Sequence, residues 1–247
     1  MESEPNVSGK RDTTRPAVGE LRGVTLFAGL EDRVLERLAR IAEARVIEPG
    51  TRLYGQGDLD VPFCLLRSGQ ISSFRTAPDG TVTVVDVTQP TGHAGLQAVL
   101  TQLPALISCE AIATSRVILI DGGELRGLLL QEPSLANAFL RAEAMDLRAL
   151  VLQVCDLKLR TTAQRLGHYL LELAPDQTSR SATLRLPFDK RLLAARLGCR
   201  QENLSRAFAT LRDLGVETRG ARVVLNDIPR LRDYAVAFDG PGATVAG

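Results

Sequence analysis

The residue types best suited to chemistry gather in one short polar segment near the C-terminal end of the chain. The segment comprises Arg200, Gln201, Glu202, Asn203, Ser205 and Arg206. Arginine can grip guanine at two points, glutamate can accept a hydrogen bond from cytosine, and serine or asparagine can reach adenine, thymine or phosphate. This combination predicts a surface that reads base edges in the major groove of double-stranded DNA. An ordinary polar helix face is the alternative interpretation.

The flanking sequence predicts the elements that would position these side chains. Asp189 is a good N-cap for a first helix, Gly198 suits a sharp turn, and a second helix is expected over 201–214. A β-hairpin is expected over 216–225, and the whole pattern predicts a winged helix-turn-helix domain over 161–236. The apolar residues expected to face its core are Leu192, Leu193, Leu197, Leu204, Phe208 and Leu211.

The charge of the chain is distributed unevenly. The net charge is only +1, but residues 160–233 contain 14 basic and 8 acidic residues, a local balance of +6. The remainder therefore carries −5. A basic C-terminal third joined to an acidic remainder indicates that one end of the protein meets a polyanion.

A long helix is predicted over 133–160, immediately before this domain. Five apolar residues alternate steps of four and three along it: Leu140, Ala144, Leu147, Val151 and Val154. This heptad-like seam predicts that two copies of the helix pack together in a homodimer. A second apolar set on other faces of the helix is expected to pack on the domain that precedes it in the chain, and it includes Phe139, Leu150, Leu152 and Leu157. The alternative is a core helix without a dimer.

The part of the chain before this helix has a sequence pattern typical of an all-β domain. Glycine and proline recur between short apolar segments, and Pro78-Asp79-Gly80 is a hairpin turn signal. Many short strands with regular turns predict a β-sandwich or barrel. We expect this sensor domain over 21–132, with a short amphipathic helix over 31–45. Residues 1–20 are predicted to be a disordered tail, and 237–247 a second tail.

Several functional classes are disfavoured by what the sequence lacks. No apolar run approaches the roughly 18–20 residues of a membrane span, and the polar N-terminal segment does not resemble a signal peptide. We therefore expect a cytoplasmic protein with no membrane partner. No phosphate loop or nucleophile motif is present, so an enzyme built on the β-barrel is the less favoured alternative. Single cysteines far apart predict no metal site and no iron–sulfur cluster: Cys64, Cys109, Cys155 and Cys199.

The chain resembles the CRP/FNR family of transcription regulators over three segments. They are LPFDKRLLAARLGCRQENLSRAFATLRDLGV (186–216), EPGTRLYGQGD (48–58) and FCLLRSGQI (63–71). The resemblance implies an α+β fold with an N-terminal β-roll sensor domain of the cyclic-nucleotide-binding type, a long dimerisation helix and a C-terminal winged helix-turn-helix. It also implies that RNA polymerase is a partner.

Within the second helix of the domain, the chain matches the Glu-x-x-Ser-Arg pattern of the family's oxygen-responsive branch with Glu202, Ser205 and Arg206. The resemblance then implies a palindromic site with TTGA-like half-sites. The sequence around it is most similar to regulators of denitrification and of the response to nitrogen oxides. No cysteine precedes Cys64, so the family's N-terminal iron–sulfur switch is not expected.

The polar residues that hold a cyclic nucleotide in this family are replaced by apolar ones. The aligned positions are Ala94, Ala105, Leu106, Leu150 and Val151. A buried phosphate without an arginine would be an unpaired charge, so cyclic AMP is not expected to bind in the usual way. A cyclic-nucleotide-type regulator with an altered pocket remains the alternative.

Two other signals are candidates, nitric oxide sensed through haem and oxidation of a cysteine. The apolar cavity expected from these replacements suits haem, with His93 as the candidate axial ligand and nitric oxide as the signal. Cys199, in the turn that faces DNA, is a candidate redox thiol, because oxidation there would place bulk or negative charge against phosphates.

Overall fold

The computed structural model describes residues 13–176, 179–186 and 189–235. They divide into two compact units, one ending at Leu147 and the other beginning at Arg148. Residues 1–12 and the tail predicted over 237–247 lie outside the described residues. The remainder of the first predicted tail is structured: Thr14 forms an isolated bridge with Ala44, and the first helix already begins at Val18.

Two four-stranded antiparallel sheets form the first unit in the part of the chain that the structure describes. The strands are β1 (Ala42–Ile47), β2 (Arg52–Tyr54), β3 (Phe63–Ser68), β4 (Ile71–Thr76), β5 (Val82–Thr88), β6 (His93–Ala94), β7 (Ser108–Ala111) and β8 (Ser115–Ile120). The sheet orders are β1-β8-β3-β6 and β2-β7-β4-β5. This arrangement confirms the predicted β-roll.

The helices of the first unit flank the roll. They are α1 (Val18–Arg22), α2 (Asp32–Arg40), α3 (Leu96–Thr101) and α4 (Gly122–Gln131), with a short 3₁₀ helix at Thr25–Phe27. The helix expected over 31–45 is confirmed as far as Arg40 and is wrong over its last residues. Residues 42–47 instead form β1, which pairs along its whole length with β8, and Ala42 and Ala44 lie buried while Glu43 points to solvent. Long-range pairing overrides the local helical pattern there.

Two hydrophobic clusters stabilise the unit. One fills the interior between the two sheets and includes Cys64, Ile71 and Cys109. The other packs the outer face of β3 and β8 against the flanking helices, and its centre is the aromatic contact between Phe63 and Phe139, whose ring centroids lie 5.0 Å apart. Alternate residues along β3 therefore serve both cores, as a strand buried on both faces requires.

The long helix α5 (Pro133–Leu159) has 27 residues and spans the boundary between the two units. It begins with proline, whose missing N–H costs nothing in a first helical turn. The residue before it, Glu132, is buried, and its two oxygens accept hydrogen bonds of 3.0 Å from Arg33, while Arg37 donates to Oε1. The Arg37 bond, together with Arg33, holds the pKa of the Glu132 carboxyl below its ordinary value.

The second unit contains a helical core and a small sheet. Its elements are the end of α5, then α6 (Thr162–Glu172), β9 (Ala182–Arg185), α7 (Lys190–Arg196), α8 (Gln201–Arg212), β10 (Val216–Arg219), β11 (Arg222–Leu225) and α9 (Ile228–Ala235). The antiparallel sheet has the order β10-β11-β9. Helix, turn, helix and hairpin follow one another as predicted, which confirms the winged helix-turn-helix.

Candidate DNA interface and effector site

The first helix of the motif and its turn are fixed by local hydrogen bonds. Asp189 caps α7 by accepting from the Leu192 N–H at 2.8 Å, as expected from the sequence. After α7, Gly198 has φ +60°, and the Cys199 N–H donates to the Ala194 carbonyl at 2.9 Å. A left-handed residue is the usual way to end a helix. The turn therefore delivers the chain to Arg200, the N-cap residue of α8.

Helix α8 is amphipathic, and its buried face anchors it in the domain. Leu204, Ala207, Phe208 and Leu211 are buried, whereas all six residues predicted to contact DNA are exposed: Arg200, Gln201, Glu202, Asn203, Ser205 and Arg206. At about 100° per residue, Glu202 and Arg206 lie directly opposite the buried face. Gln201 and Asn203 lie on the two flanks, so they are placed to reach the edges of a groove rather than its centre.

The exposed side chains of α8 differ in how free they are. Among the residues that the structure describes, the Arg206 guanidinium has no ion pair or hydrogen-bond partner, so its donors are available to a ligand. The Ser205 hydroxyl instead donates to the Gln201 carbonyl at 3.0 Å. In this rotamer Ser205 can accept a hydrogen bond from a base amino group but cannot donate one to a phosphate.

The hairpin adds two cations that are absent from the residues predicted from the sequence. Arg219 and Arg222 are exposed and pair across the tip of β10 and β11, around Gly220 with φ +63°. The Leu186 N–H, directly after the end of β9, donates to the Ala221 carbonyl at 2.8 Å and holds the hairpin tip against this segment. Arginines at a hairpin tip are placed to contact phosphates, which position a protein on DNA. The signal in the sequence is the pair of arginines flanking the Gly220 turn.

The five residues predicted to line an effector pocket fall in different environments. Ala94 and Ala105 belong to the cluster inside the roll, where each exposes less than a tenth of its surface. Leu106 is 58% exposed, and the Arg75 side chain donates to its carbonyl at 3.2 Å. Leu150 and Val151 are exposed on α5 by 52% and 54%. Leu106 therefore does not line the interior that the two alanines share.

His93, the candidate haem ligand, lies in the short strand β6, whereas the sequence around it, residues 90–96, predicts a turn at the edge of the pocket. Its side chain points away from the interior of the roll. Its neighbour Ala94 faces the roll, so His93 faces the opposite side, because successive strand residues alternate. Its ring centroid is 5.7 Å from that of Phe63, and Nε2 is 3.7 Å from an oxygen of Asp146 on α5. Burial lowers the pKa of His93 and the Asp146 carboxylate partly offsets this.

Burial raises the pKa of two thiols inside the roll and of the thiol in the turn before α8. Cys64 and Cys109 are buried, and burial raises the pKa of both, that of Cys109 to about 12. Cys199 is half-buried in the turn between α7 and α8, where burial raises its pKa although Arg165 acts in the opposite direction. A reactive cysteine needs a lowered pKa, so the redox role predicted for Cys199 finds no support in its surroundings.

Within the described ranges, no three side chains of histidine, cysteine, aspartate or glutamate converge in a way that could hold a metal ion. The same residues contain no helix that combines the length and the apolarity needed to cross a membrane.

The fold and the exposed face of α8 together define a class of protein: a β-roll sensor joined by a long helix to a winged helix-turn-helix that binds DNA. Comparison with known families agrees with this. Residues 44–132 match the cyclic nucleotide-binding domain, and residues 164–234 match the Crp-like helix-turn-helix domain.

Individual relatives match most of the chain. A crystal structure of a Ruegeria pomeroyi protein assigned as a cyclic nucleotide binding protein is 30% identical, covers 88% of this chain and 96% of its own, and has a TM-score of 0.60. The CRP-like cAMP-activated global transcriptional regulator of Mycobacterium tuberculosis is 24% identical over 83% of this chain and 94% of its own. A CooA mutant from Carboxydothermus hydrogenoformans shares the fold at 13% identity, with a TM-score of 0.68 over 90% and 97% of the two chains.

The chain belongs to the CRP/FNR family of transcription regulators. It is therefore a DNA-binding regulator with a cyclic-nucleotide-binding-type sensor domain, and not an enzyme.

Proposed function

We propose that the protein regulates transcription by binding a palindromic DNA site as a homodimer, with α8 in the major groove and TTGA-like half-sites. The observation that carries this proposal is the outward face of α8, where Glu202 and Arg206 lie opposite the buried residues and Arg206 has no partner among the residues that the structure describes. Glutamate accepting from cytosine and arginine on guanine suit the same short half-site. Arg219 and Arg222 supply phosphate contacts from the wing.

The homodimer is supported by the exposed seam of α5. Leu140, Leu147, Val151 and Val154 each expose between 48% and 68% of their surface in the single chain, and Ala144 between them is also exposed. A row of large apolar side chains on one helix is a typical protein interface. Two copies joined along α5 would present two α8 helices, matching the symmetry of a palindrome. RNA polymerase is the expected partner on DNA.

The signal that the sensor domain detects is proposed not to be cyclic AMP bound in the usual way. The interior positions Ala94 and Ala105 provide no charge for a phosphate. Arg75 favours the alternative of a cyclic-nucleotide regulator with an altered pocket, because its guanidinium lies beside the Leu106 carbonyl and could meet a phosphate at the surface of the roll. In that case, Arg75→Ala should abolish any binding of cyclic AMP that calorimetry detects.

Haem with His93 as its axial ligand is one of the effectors expected from the sequence, and the surroundings of His93 do not fit it. The His93 ring lies beside Phe63 on the side of the strand away from the roll interior, so neither ring nitrogen is directed into the apolar cavity expected from the sequence. Its Nε2 also faces Asp146 at 3.7 Å. An iron at Nε2 would have to replace this carboxylate contact. Sensing of nitrogen oxides stays a prediction from the recognition helix alone, without a haem step.

The test combines DNA binding with oligomeric state. We expect the protein to shift a palindromic TTGA-containing duplex in a gel at concentrations that leave a scrambled duplex of equal length free. Sedimentation at micromolar concentration should give the mass of a dimer. Equal affinity for both duplexes, or a monomer, would refute the proposal. Absorption spectra with and without haemin, and calorimetry with cyclic AMP, check the two effector statements separately.

A further inference from the structure

One arginine outside the DNA-reading face joins the end of the long helix to the turn before α8. Arg165 lies on α6 and is partly buried. Its Nε donates to the Leu197 carbonyl at 3.1 Å, and its NH1 donates to the Arg160 carbonyl at 2.8 Å. Leu197 is the C-cap residue of α7, and Arg160 follows the last residue of α5. One guanidinium therefore holds two helix ends at a fixed separation.

Both acceptors are of a kind that needs such a donor. The last carbonyls of a helix have no partner inside it, and they carry the negative end of the helix dipole, which favours a cation. The planar guanidinium serves the two carbonyls from two different nitrogens held in a fixed geometry, whereas the three donors of lysine all leave a single nitrogen. The two bonds thus fix the relative position of the α5 end and the turn.

A second contact joins the same two places from the apolar side. A Cβ placed on Gly198 would lie 2.7 Å from Cδ2 of Leu157 on α5, closer than any real contact of that type. The turn therefore lies against the end of the Leu157 side chain, which would have to shift to admit a Cβ, and the φ of +60° itself favours glycine. Gly198 lies two residues before Arg200, the N-cap of α8, so the start of α8 is held from two sides.

We propose that Arg165 is a positioning residue for DNA recognition: its bridge from the Arg160 carbonyl to the Leu197 carbonyl sets the orientation of α8 relative to α5. This inference rests on the proposed function, in which α8 enters the major groove and α5 forms the dimer. The core residues of α8 keep the helix folded in the domain. The bridge sets the direction in which Glu202 and Arg206 point relative to α5. In the dimer, both half-sites depend on this direction at the same time.

A phosphate contact is the competing role for an arginine, and salt dependence separates the two. Each phosphate contact that is lost reduces the slope of log affinity against log salt by about 0.9, so a dimer that loses one contact in each subunit has a slope reduced by about 1.8. Such a loss weakens specific and non-specific binding alike. A positioning residue touches no phosphate. Its loss should weaken binding to the palindrome alone and leave the salt slope and the affinity for a scrambled duplex unchanged.

The test uses Arg165→Met, which keeps an unbranched apolar stem and removes both donors, with Arg230→Met on the exposed face of α9 as the matched control for one lost charge. Fluorescence anisotropy is measured on palindromic and scrambled duplexes at several salt concentrations. We expect the Arg165 variant to lose about tenfold or more in affinity for the palindrome, the equivalent of one lost base contact. The control should keep the ratio of the two affinities.

Arg165→Lys keeps the charge but replaces the two donor nitrogens by one, so we expect it to lose the geometry of the bridge. It carries the test alone if the methionine variant does not fold. Loss of palindrome affinity in the lysine variant supports the bridge. Parent-like affinity in that variant, or an equal loss on both duplexes with the salt slope of the dimer reduced by about 1.8, overturns the inference and leaves the proposed function standing. A parent that does not prefer the palindrome would instead refute the proposed function, and the inference with it.

Discussion

The sharpest prediction concerns Arg206, whose exposed side chain has no partner among the residues that the structure describes. Arg206→Ala removes the guanidinium and leaves the buried face of α8 intact, because Leu204, Ala207 and Phe208 are the neighbours that pack into the core. Alanine also favours the helix slightly more than arginine. We therefore expect an unchanged fold and an unchanged dimer, with a defect confined to DNA binding.

The size of the defect follows from the contact that is lost. A bidentate arginine–guanine pair contributes about 1–3 kcal/mol of discrimination, which corresponds to a loss of roughly 5-fold to 150-fold in affinity per half-site. A dimer loses the contact in both half-sites, so the effect on the palindrome is expected at the upper end of this range or beyond. Discrimination at the guanine position should weaken more than at any other position.

The assay is a competition gel shift with the palindrome and with variants changed at one base pair at a time. Arg212→Ala is the matched control, because Arg212 is exposed on the same helix but lies in its last turn, away from the line of Glu202 and Arg206. Arg206→Ala binding the palindrome as tightly as the parent would refute the assignment of this face. So would an equal loss on every duplex, which would identify Arg206 as a phosphate contact.

Three further predictions test the fold, the pH response and the dimer. Gly198→Ala should lower the free energy of unfolding by about 1–2 kcal/mol, the cost of a left-handed residue with a Cβ, and adding Leu157→Ala should restore only the part due to the steric clash. Urea denaturation followed by circular dichroism measures both variants. A Gly198→Ala variant as stable as the parent would contradict the strain. Glu132→Gln should destabilise the protein at neutral pH. Since Arg37 and Arg33 depress the pKa of this carboxyl below its ordinary 4.5, its contribution is present above that value and fades as the pH falls through the lower folded-state pKa; a stability difference that stays constant from pH 7 to pH 3 would show that the charge is irrelevant. Val151→Glu should weaken the dimer in sedimentation by placing like charges along the seam, whereas Gln153→Glu, off the seam of the same helix, should not; equal masses for both variants would argue against this interface.

The winged helix-turn-helix could be predicted from the sequence because its signals are local. Asp189 caps its own helix, Gly198 takes the left-handed conformation of its own turn, and the apolar residues of α8 follow the helical period. Each of these features depends on residues no more than four positions apart. The positions of the side chains proposed to contact DNA follow from the same period, so the exposed face of α8 was predictable as well.

The features that could not be predicted depend on distant partners. Residues 42–45 continue the helical pattern of α2, but pairing with β8, more than 70 positions away, makes them a strand. His93 was expected at the edge of a cavity, and its orientation away from the roll interior follows from the register of β6 on β3. No pattern in the sequence predicts that the Arg165 side chain donates hydrogen bonds to backbone carbonyls 5 and 32 positions away.

The two ends of α5 are each held within their own unit by arginine, and this bears on how a signal could reach DNA. At its start, the Glu132 carboxylate is fixed by Arg33 and Arg37, and at its end the Arg160 carbonyl is fixed by Arg165. Between them, the large seam residues of α5 each expose about half or more of their surface in the single chain. Since a ligand can only shift an equilibrium between states that it binds differently, an effector of the proposed dimer needs to change only how the two α5 helices pack. The bridge at Arg165 would carry that change to both α8 helices without any rearrangement inside the DNA-binding domain.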